Sequence, residues 1–310
     1  MEKNFTVKFR GVRGSYPTPA RNFLQFGGNT SCVEVTAGNR LIILDAGTGI
    51  IDLGKELMQS FILSAEDFAS RSPISAVLLL SHIHQDHIQG LPFFNPAYVP
   101  STRLDIYGLS AGKKSLRDNL SAVLFDKVFP LGLEDVNCEL AIQDFTSTSV
   151  LVLKQSGENI LLNSNTISSY QKDDDDVIIR AHKTFAHPKN GSLCYKIEYS
   201  NKALVYATDK ETYMGSDKKF VEFAHGADLL IHDAQYTTQE YVSSISPKQG
   251  FGHSTHQMAE EAAKLAKAKK LAFFHFDPNH NDEFLSQIES EYSAKNTDYF
   301  FAKENLEIVL

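Results

Sequence analysis

The chain opens with Met1-Glu2-Lys3-Asn4-Phe5-Thr6-Val7-Lys8-Phe9, where polar and apolar positions alternate with the period of a half-buried strand. Further short runs of β-branched and aliphatic residues predict strands over 6–10, 32–35 and 41–44. The last of these enters the turn Asp45-Ala46-Gly47-Thr48-Gly49, and helical spacing follows over 51–58. Ala76-Val77-Leu78-Leu79-Leu80 differs in kind, because an unbroken apolar run marks a strand buried on both faces. It delivers Ser81 and a histidine-rich segment to its C-terminal end, where α/β sheets place their ligands.

A strand over 103–107 and a helical pattern over 111–124 precede a stretch, 136–180, of short strand-like pieces broken by polar turns. The second half alternates again, with strands over 193–199, 203–208, 229–232 and 271–274 and helices near 218–224 and over 255–269 and 283–293. Two halves that each mix strands with covering helices predict two sheets packed face to face with helices outside. Neither a linker nor a repeat divides the 310 residues, so one domain over 1–310 is expected.

Composition narrows the class of function. A formal charge of −8 with no dense Lys/Arg block argues against a broad electrostatic footprint for duplex nucleic acid and favours a small substrate. Cys32, Cys138 and Cys194 are far apart and odd in number, which fits neither a disulfide framework nor a thiolate metal site. They read as reduced core residues. The N-terminus lacks the apolar run of a signal peptide and no later stretch suits a bilayer, so a cytoplasmic enzyme with no membrane partner is expected. Asp173-Asp174-Asp175-Asp176 reads as a solvated loop, since no spaced set of calcium ligands surrounds it.

The chemistry concentrates in His82-Ile83-His84-Gln85-Asp86-His87. At the mouth of a buried strand, the period of two puts His82 and His84 on one side, able to grip one ion, while Asp86 and His87 can face an adjacent one as the chain turns. The alternative, polar residues gathered on a surface loop, sits poorly with that placement. Three further candidates lie at strand boundaries: His187 before the run from Leu193, Asp209 after 203–208, and His275 after 271–274.

This H-x-H-x-D-H pattern, with its downstream partners, resembles the metallo-β-lactamase superfamily over nearly the whole chain. The resemblance implies a four-layer αββα sandwich. It also implies two divalent ions: His82, His84 and His187 on one, Asp86, His87 and His275 on the other, and Asp209 bridging. His182 competes with His187, but only His187 leads into Pro188-Lys189-Asn190-Gly191 and a strand as in the family. Zinc suits imidazole and carboxylate donors first, and manganese and iron accept the same set. Asp45 matches an early aspartate of the family that accepts a hydrogen bond from a ligand histidine; read alone, it is a turn residue.

Within the superfamily the chain resembles the RNase Z and cyclic-phosphodiesterase branch. Phe26-Gly27-Gly28-Asn29-Thr30-Ser31, Ile231-His232-Asp233-Ala234-Gln235-Tyr236, Gly252-His253-Ser254-Thr255 and Phe274-His275-Phe276-Asp277-Pro278 carry the likeness. It implies catalytic roles for Asp86, His253 and Asp233, with His253 protonating a leaving alkoxide while Asp233 holds it. The other reading of His253 is a helix-entry residue ahead of a cap at Ser254 or Thr255. The projecting basic Gly/Pro-rich arm of RNase Z is missing, and 110–129 has a helical pattern instead. That favours a small phosphodiester, such as a cyclic nucleotide or cyclic sugar phosphate, attacked by a metal-bridging hydroxide.

Several alternatives stand beside this one: an RNase Z-like ribonuclease acting on RNA, a thioester or lactone hydrolase, and a non-catalytic metal-binding protein of the same fold. Gln85 occupies the place of a ligand glutamate in flavodiiron enzymes, and Asp209 the place of a cysteine in many β-lactamases, which disfavours both chemistries. His225, His232, His256 and His280 read as caps, surface or packing residues, His232 being near enough to Asp233 to support it. Pocket walls are expected from 91–100 and 236–251, and a homodimer is the expected assembly.

Overall fold

The computed structural model describes residues 4–110, 112–125, 129–185, 187–213 and 217–310. The N-terminal alternation forms β1 (Phe5–Gly11), which sends Phe5, Val7 and Phe9 inward and pairs antiparallel with β2 (Cys32–Ala37), itself antiparallel to β3 (Arg40–Leu44). Residues 1–3 of that pattern lie outside the described residues. After α1 (Gly49–Leu63), β4 (Ser75–Leu80) runs parallel between β3 and β5 (Arg103–Gly108), with Leu78 opposite both Ile43 and Ile106. Val77 and Leu79 join the central core, whereas Ala76, Leu78 and Leu80 pack beneath the outer helices. Both faces being covered explains the unbroken apolar run.

Next come α2 (Gln85–Ile88), α3 (Leu116–Leu124) and β6 (Glu139–Asp144). Helix α3 starts later than its periodicity predicts, because the Ser115 hydroxyl caps it by accepting the Asp118 N–H at 3.2 Å. Ala111, the predicted start, is outside the described residues. The antiparallel strands β7 (Ser149–Leu153), β8 (Asn159–Asn163), β9 (Val177–Thr184), β10 (Ser192–Tyr199) and β11 (Lys202–Ala207) begin the second sheet. Helix α4 (Lys218–Ala224) leads to β12 (Leu229–Asp233), then α5 (Thr238–Tyr241), α6 (His256–Ala266), β13 (Leu271–Phe274), α7 (Asp282–Ser293), β14 (Tyr299–Phe301) and β15 (Glu307–Val309).

The first sheet has the order β15-β1-β2-β3-β4-β5-β6 and the second β14-β13-β12-β11-β10-β9-β7-β8. Val7, Val35 and Leu79 of one meet Ile179, Tyr195 and Ile197 of the other in a shared apolar core. Ile50 and Leu53 of α1 with Leu116 and Leu120 of α3 cover the first sheet, and Phe220, Ala259, Ala263 and Leu285 from α4, α6 and α7 cover the second. The molecule is thus a four-layer αββα sandwich.

Two cross-sheet bonds fix the end of β4: Tyr195 Oη donates to the Leu80 carbonyl at 2.7 Å and Leu193 N–H to that of Ser81 at 2.9 Å. The C-terminal ends of the parallel strands β3, β4, β11, β12 and β13 therefore open onto one place.

The acidic run is less solvated than its composition predicts. Asp176 is buried and accepts from Asp173 N–H at 2.8 Å and Tyr170 Oη at 3.0 Å, closing the turn, while Asp173 pairs with Lys154 at 2.7 Å. All three cysteines are buried and unbridged. No helix among the described residues is long and apolar enough to cross a membrane.

Candidate metal centre

Strand ends deliver the site. Ser81 and His82 leave β4, His84 leads into α2, and Asp86 and His87 lie on that helix. Asp45, Asp209 and His275 follow β3, β11 and β13 closely and take positive φ values of 59°, 47° and 66°. Left-handed backbone at non-glycine residues is costly, and it persists here where each chain end turns sharply to aim a polar side chain between the sheets.

Beside a third group, Asp209, Asp233, His253 and His275, the ligating atoms fall into two sets, His82, His84, His187 with Asp209, and Asp86, His87, His275, with the atoms of each group within 4.8 Å of one another. Asp209 joins them through separate oxygens. Its Oδ2 lies 3.6 Å from both His82 Nε2 and His187 Nε2, and its Oδ1 lies 3.0 Å from His87 Nε2 and 3.1 Å from His275 Nε2. Asp86 Oδ2 is 3.2 Å from His275 Nε2 and 3.3 Å from His87 Nε2. His84 turns its Nδ1 inward, 2.9 Å from His187 Nε2. All seven predicted ligands are therefore brought together, whereas His182 stands on β9 against Asp217 at 3.2 Å.

Supporting hydrogen bonds define which ring nitrogens carry protons. Asp45 is fully buried and accepts from Ser81 N–H (2.7 Å), Ser81 Oγ, His87 Nδ1 and Tyr206 Oη (2.8 Å each). The Ser81 hydroxyl has given its proton to Asp45, so at 3.0 Å it accepts from His82 Nδ1. His275 Nδ1 donates to Gln235 Oε1 at 3.0 Å. In His82 and His275 this leaves the Nε2 lone pair facing the centre, the tautomer that a metal needs, and His87, held through Nδ1, presents its Nε2 there once deprotonated.

Burial and charge divide the two halves. Burial holds the His82, His84 and His187 imidazoles below their ordinary range, His187 at about 4. Burial also opposes the charge on His87, but Asp209, Asp86 and Asp45 outweigh it and push its pKa well above the ordinary value. Asp86 and Asp209 are held well below the carboxylate range against their own burial, Asp86 chiefly by His87 and His275 and Asp209 chiefly by His275 and His87.

The residues fit a pair of divalent ions. His82 Nε2, which faces the centre, is buried with no hydrogen-bond partner, and His87 Nε2 and His275 Nε2 approach to 3.2 Å beside two carboxylates, a donor set that suits divalent cations. Ions bound here would displace the His87 proton. We therefore expect affinity in the Asp86, His87, His275 half to fall about tenfold per pH unit on acidification, with one proton released on loading. Calorimetry in buffers of different ionisation enthalpy measures that release; loading without it would contradict the assigned charge state.

Beside this centre, His253 Nδ1 lies 2.8 Å from Asp233 Oδ2, and its Nε2 lies 4.0 Å from Asp209 Oδ2. Burial lowers the His253 pKa, but the Asp233 carboxylate raises it further, to about 9. Asp233 also accepts from Ser254 N–H at 2.8 Å and Asp209 N–H at 3.1 Å, so it braces His253 and Asp209 together. Thr255 caps α6, which leaves His253 free of a capping role. His232 bonds the Asp233 carbonyl at 2.7 Å and Thr212, and packs its ring against Phe220. His256 packs against Phe301, and His280 pairs with Glu240 at 2.7 Å.

Some contributors carry no signal in the sequence. The Ser15 N–H donates to Asp86 Oδ2 at 2.7 Å, and Gly14 lies flat on His275, where a β-carbon would stand 2.4 Å from its Cε1. Tyr206 and Gln235 act only through neighbours that are distant along the chain, and Ser81 links its neighbour His82 to the distant Asp45. The motif Phe26-Gly27-Gly28-Asn29-Thr30-Ser31 serves the frame, its Asn29 carbonyl accepting from Val12 and Arg13 N–H at 2.9 Å each. A cleft over the first half is walled by Ile83, Leu109, Ser110, Pro188, Asn190 and Gly191.

Comparison with known proteins agrees with this fold. A ribonuclease Z from Picrophilus torridus is 24% identical over 326 aligned residues, covering 99% of this chain and 96% of the relative. The metallo-beta-lactamase fold protein YhfI from Bacillus subtilis has a TM-score of 0.65 at 18% identity and full coverage of both chains. A diphosphatase from the PhnP family gives 0.64 at 14% identity, covering 98% of this chain and 97% of its own. The family model described as the beta-lactamase superfamily domain matches residues 40–276, from the start of β3 to just beyond His275, and the chain belongs to that superfamily.

Proposed function

We propose that this chain is a metal-dependent phosphodiesterase acting on a small phosphodiester. The observation that carries the reading is the Asp233–His253 pair, at 2.8 Å, set beside the bridging Asp209. Hydrolysis of a phosphodiester must neutralise charge at phosphorus and protonate a departing alkoxide, whereas an ester or lactam has less use for a dedicated acid. Ions held by His82, His84, His187, Asp86, His87, His275 and Asp209 would supply Lewis acidity and an activated water.

The chain's own residues do the rest. Asp45 orients His87 directly and His82 through Ser81, Gln235 orients His275, and Asp209 joins both halves. Asp233 keeps the His253 Nδ1 proton in place and its Nε2 directed at the centre, where it holds the proton a leaving oxygen takes. Small, uncharged walls at Leu109, Ser110 and Asn190 suit a compact substrate such as a cyclic nucleotide or cyclic sugar phosphate.

A ribonuclease reading has support in the ribonuclease Z relatives. The acidic balance of the chain and the absence of a basic arm in its sequence favour the small substrate. Elemental analysis joined to a panel of cyclic nucleotides, cyclic sugar phosphates, a short RNA, a thioester and bis(p-nitrophenyl) phosphate tests both. Two equivalents of metal, zinc first, and turnover of a cyclic phosphodiester above the RNA are expected; thioester turnover with no phosphodiester turnover would overturn the proposal.

The pH profile adds a second check. The acid must be protonated, so turnover should decline as pH rises through a value no higher than about 9, bound cations lowering what Asp233 raises. A rate still climbing above that pH would remove the role of His253.

A further inference from the structure

We infer that Glu211 is a positioning residue, fastening the segment 242–252 so that His253 meets the metal centre correctly; this rests on the reading of His253 as the acid. Glu211 lies two residues beyond Asp209 and is 2% exposed. Among the described residues no lysine, arginine or histidine pairs with it. Its carboxylate is met by three donors instead: Tyr241 Oη at 2.5 Å and Gly250 N–H at 2.8 Å on Oε1, and Gly252 N–H at 3.0 Å on Oε2. A buried carboxylate satisfied this way makes charge-assisted bonds, about twice as strong as neutral ones.

The fastening falls where the chain has few other anchors. Val242, Ile245 and Phe251 are exposed, Ile245 by 94%, so the segment buries little apolar surface of its own. The Asp233 bonds begin only at His253 and Ser254. What Glu211 holds is the approach to them. Gly250 and Gly252 have φ of 81° and 91°, a backbone open to glycine, and a β-carbon at Gly252 would stand 2.3 Å from His187 Nδ1. The Gly252 backbone is thereby pressed against the ring of one predicted ligand, and the next residue stacks its own ring on that of another, His253 on His275 at 5.0 Å. One carboxylate thus holds in place the backbone that carries the acid to the centre.

A leaving-group comparison tests this on the metal-loaded, full-length protein. The substrates are bis(p-nitrophenyl) phosphate, whose phenolate departs without a proton, and a dinucleoside monophosphate, whose alkoxide requires one. Glu211→Gln should lower kcat about tenfold on the alkoxide substrate and less than about threefold on the phenolate one, with KM and metal content unchanged. Amide exchange should quicken at Gly250 and Gly252. Tyr241→Phe, which leaves both backbone bonds in place, should fall between Glu211→Gln and the parent protein.

Equal losses on both substrates, or no loss, would overturn the assignment. His253→Ala is run alongside: selectivity there without selectivity in Glu211→Gln rejects Glu211 alone. An unselective His253→Ala rejects the acid itself, and the role of Glu211 with it.

Discussion

Replacing His253 by alanine should lower turnover of an alkoxide-leaving phosphodiester by about 10²- to 10⁴-fold, the span a positioned general acid contributes. The ring is held by Asp233 at 2.8 Å with its Nε2 4.0 Å from Asp209 Oδ2, and in the proposed role its removal takes away a proton donor while leaving the seven metal donors in place. Metal content should therefore stay at the parent level. The loss should shrink on a p-nitrophenyl ester, which leaves unaided, and the alkaline limb of the pH profile should vanish. Asp233→Asn should reproduce part of the effect by lowering the His253 pKa, since that carboxylate is the largest influence raising it. Unchanged turnover of both substrates in His253→Ala would leave the site without an assigned acid.

Gly14→Ala should cost metal rather than proton transfer. A β-carbon there would meet His275 Cε1 at 2.4 Å and Nδ1 at 2.5 Å, distances at which the ring must move. Little freedom remains to it. His275 Nδ1 is held by Gln235, and Gly14 is fixed by its N–H bond to the Phe276 carbonyl at 3.0 Å. Displacing the ring also disturbs Asp86, whose carboxylate accepts from the neighbouring Ser15 N–H.

Loss of such support typically weakens metal binding about 10- to 100-fold, and the Asp86, His87, His275 half should empty first on dialysis. Gly157→Ala is the control, since its φ is 98° yet nothing lies within 4 Å of the added carbon. It carries backbone strain alone and should keep its metal. Full metal content in Gly14→Ala would show that His275 does not ligate in the arrangement described.

Much of this centre was legible in the chain because its chemistry is local there. His82 to His87 is six residues long, and β4 announces itself by an apolar run that only a doubly covered strand needs. His187, Asp209 and His275 could be named because strand ends are visible as changes of pattern, and His253 with Asp233 because their motifs resemble those of a known branch. Reading by periodicity failed at the margins. Helix α3 starts at Leu116 because a serine cap decides it, and the acidic run proved to contain a buried turn carboxylate at Asp176.

The sequence by itself determined the cluster His82 to His87 at the mouth of a buried strand, most of the alternation of strands and helices, and the strand boundaries at which His187, Asp209 and His275 stand, since these follow from residue type and from periods of two and 3.6 along one chain. Tertiary structure alone decided which oxygen of Asp209 serves which half, which nitrogen of each ring is free, and that Gly14, Ser15, Gln235 and Glu211 belong to the site. Those contacts join residues 30 to more than 250 positions apart. They exist only once two sheets have packed against each other and their strand ends share one space, and no local period records that.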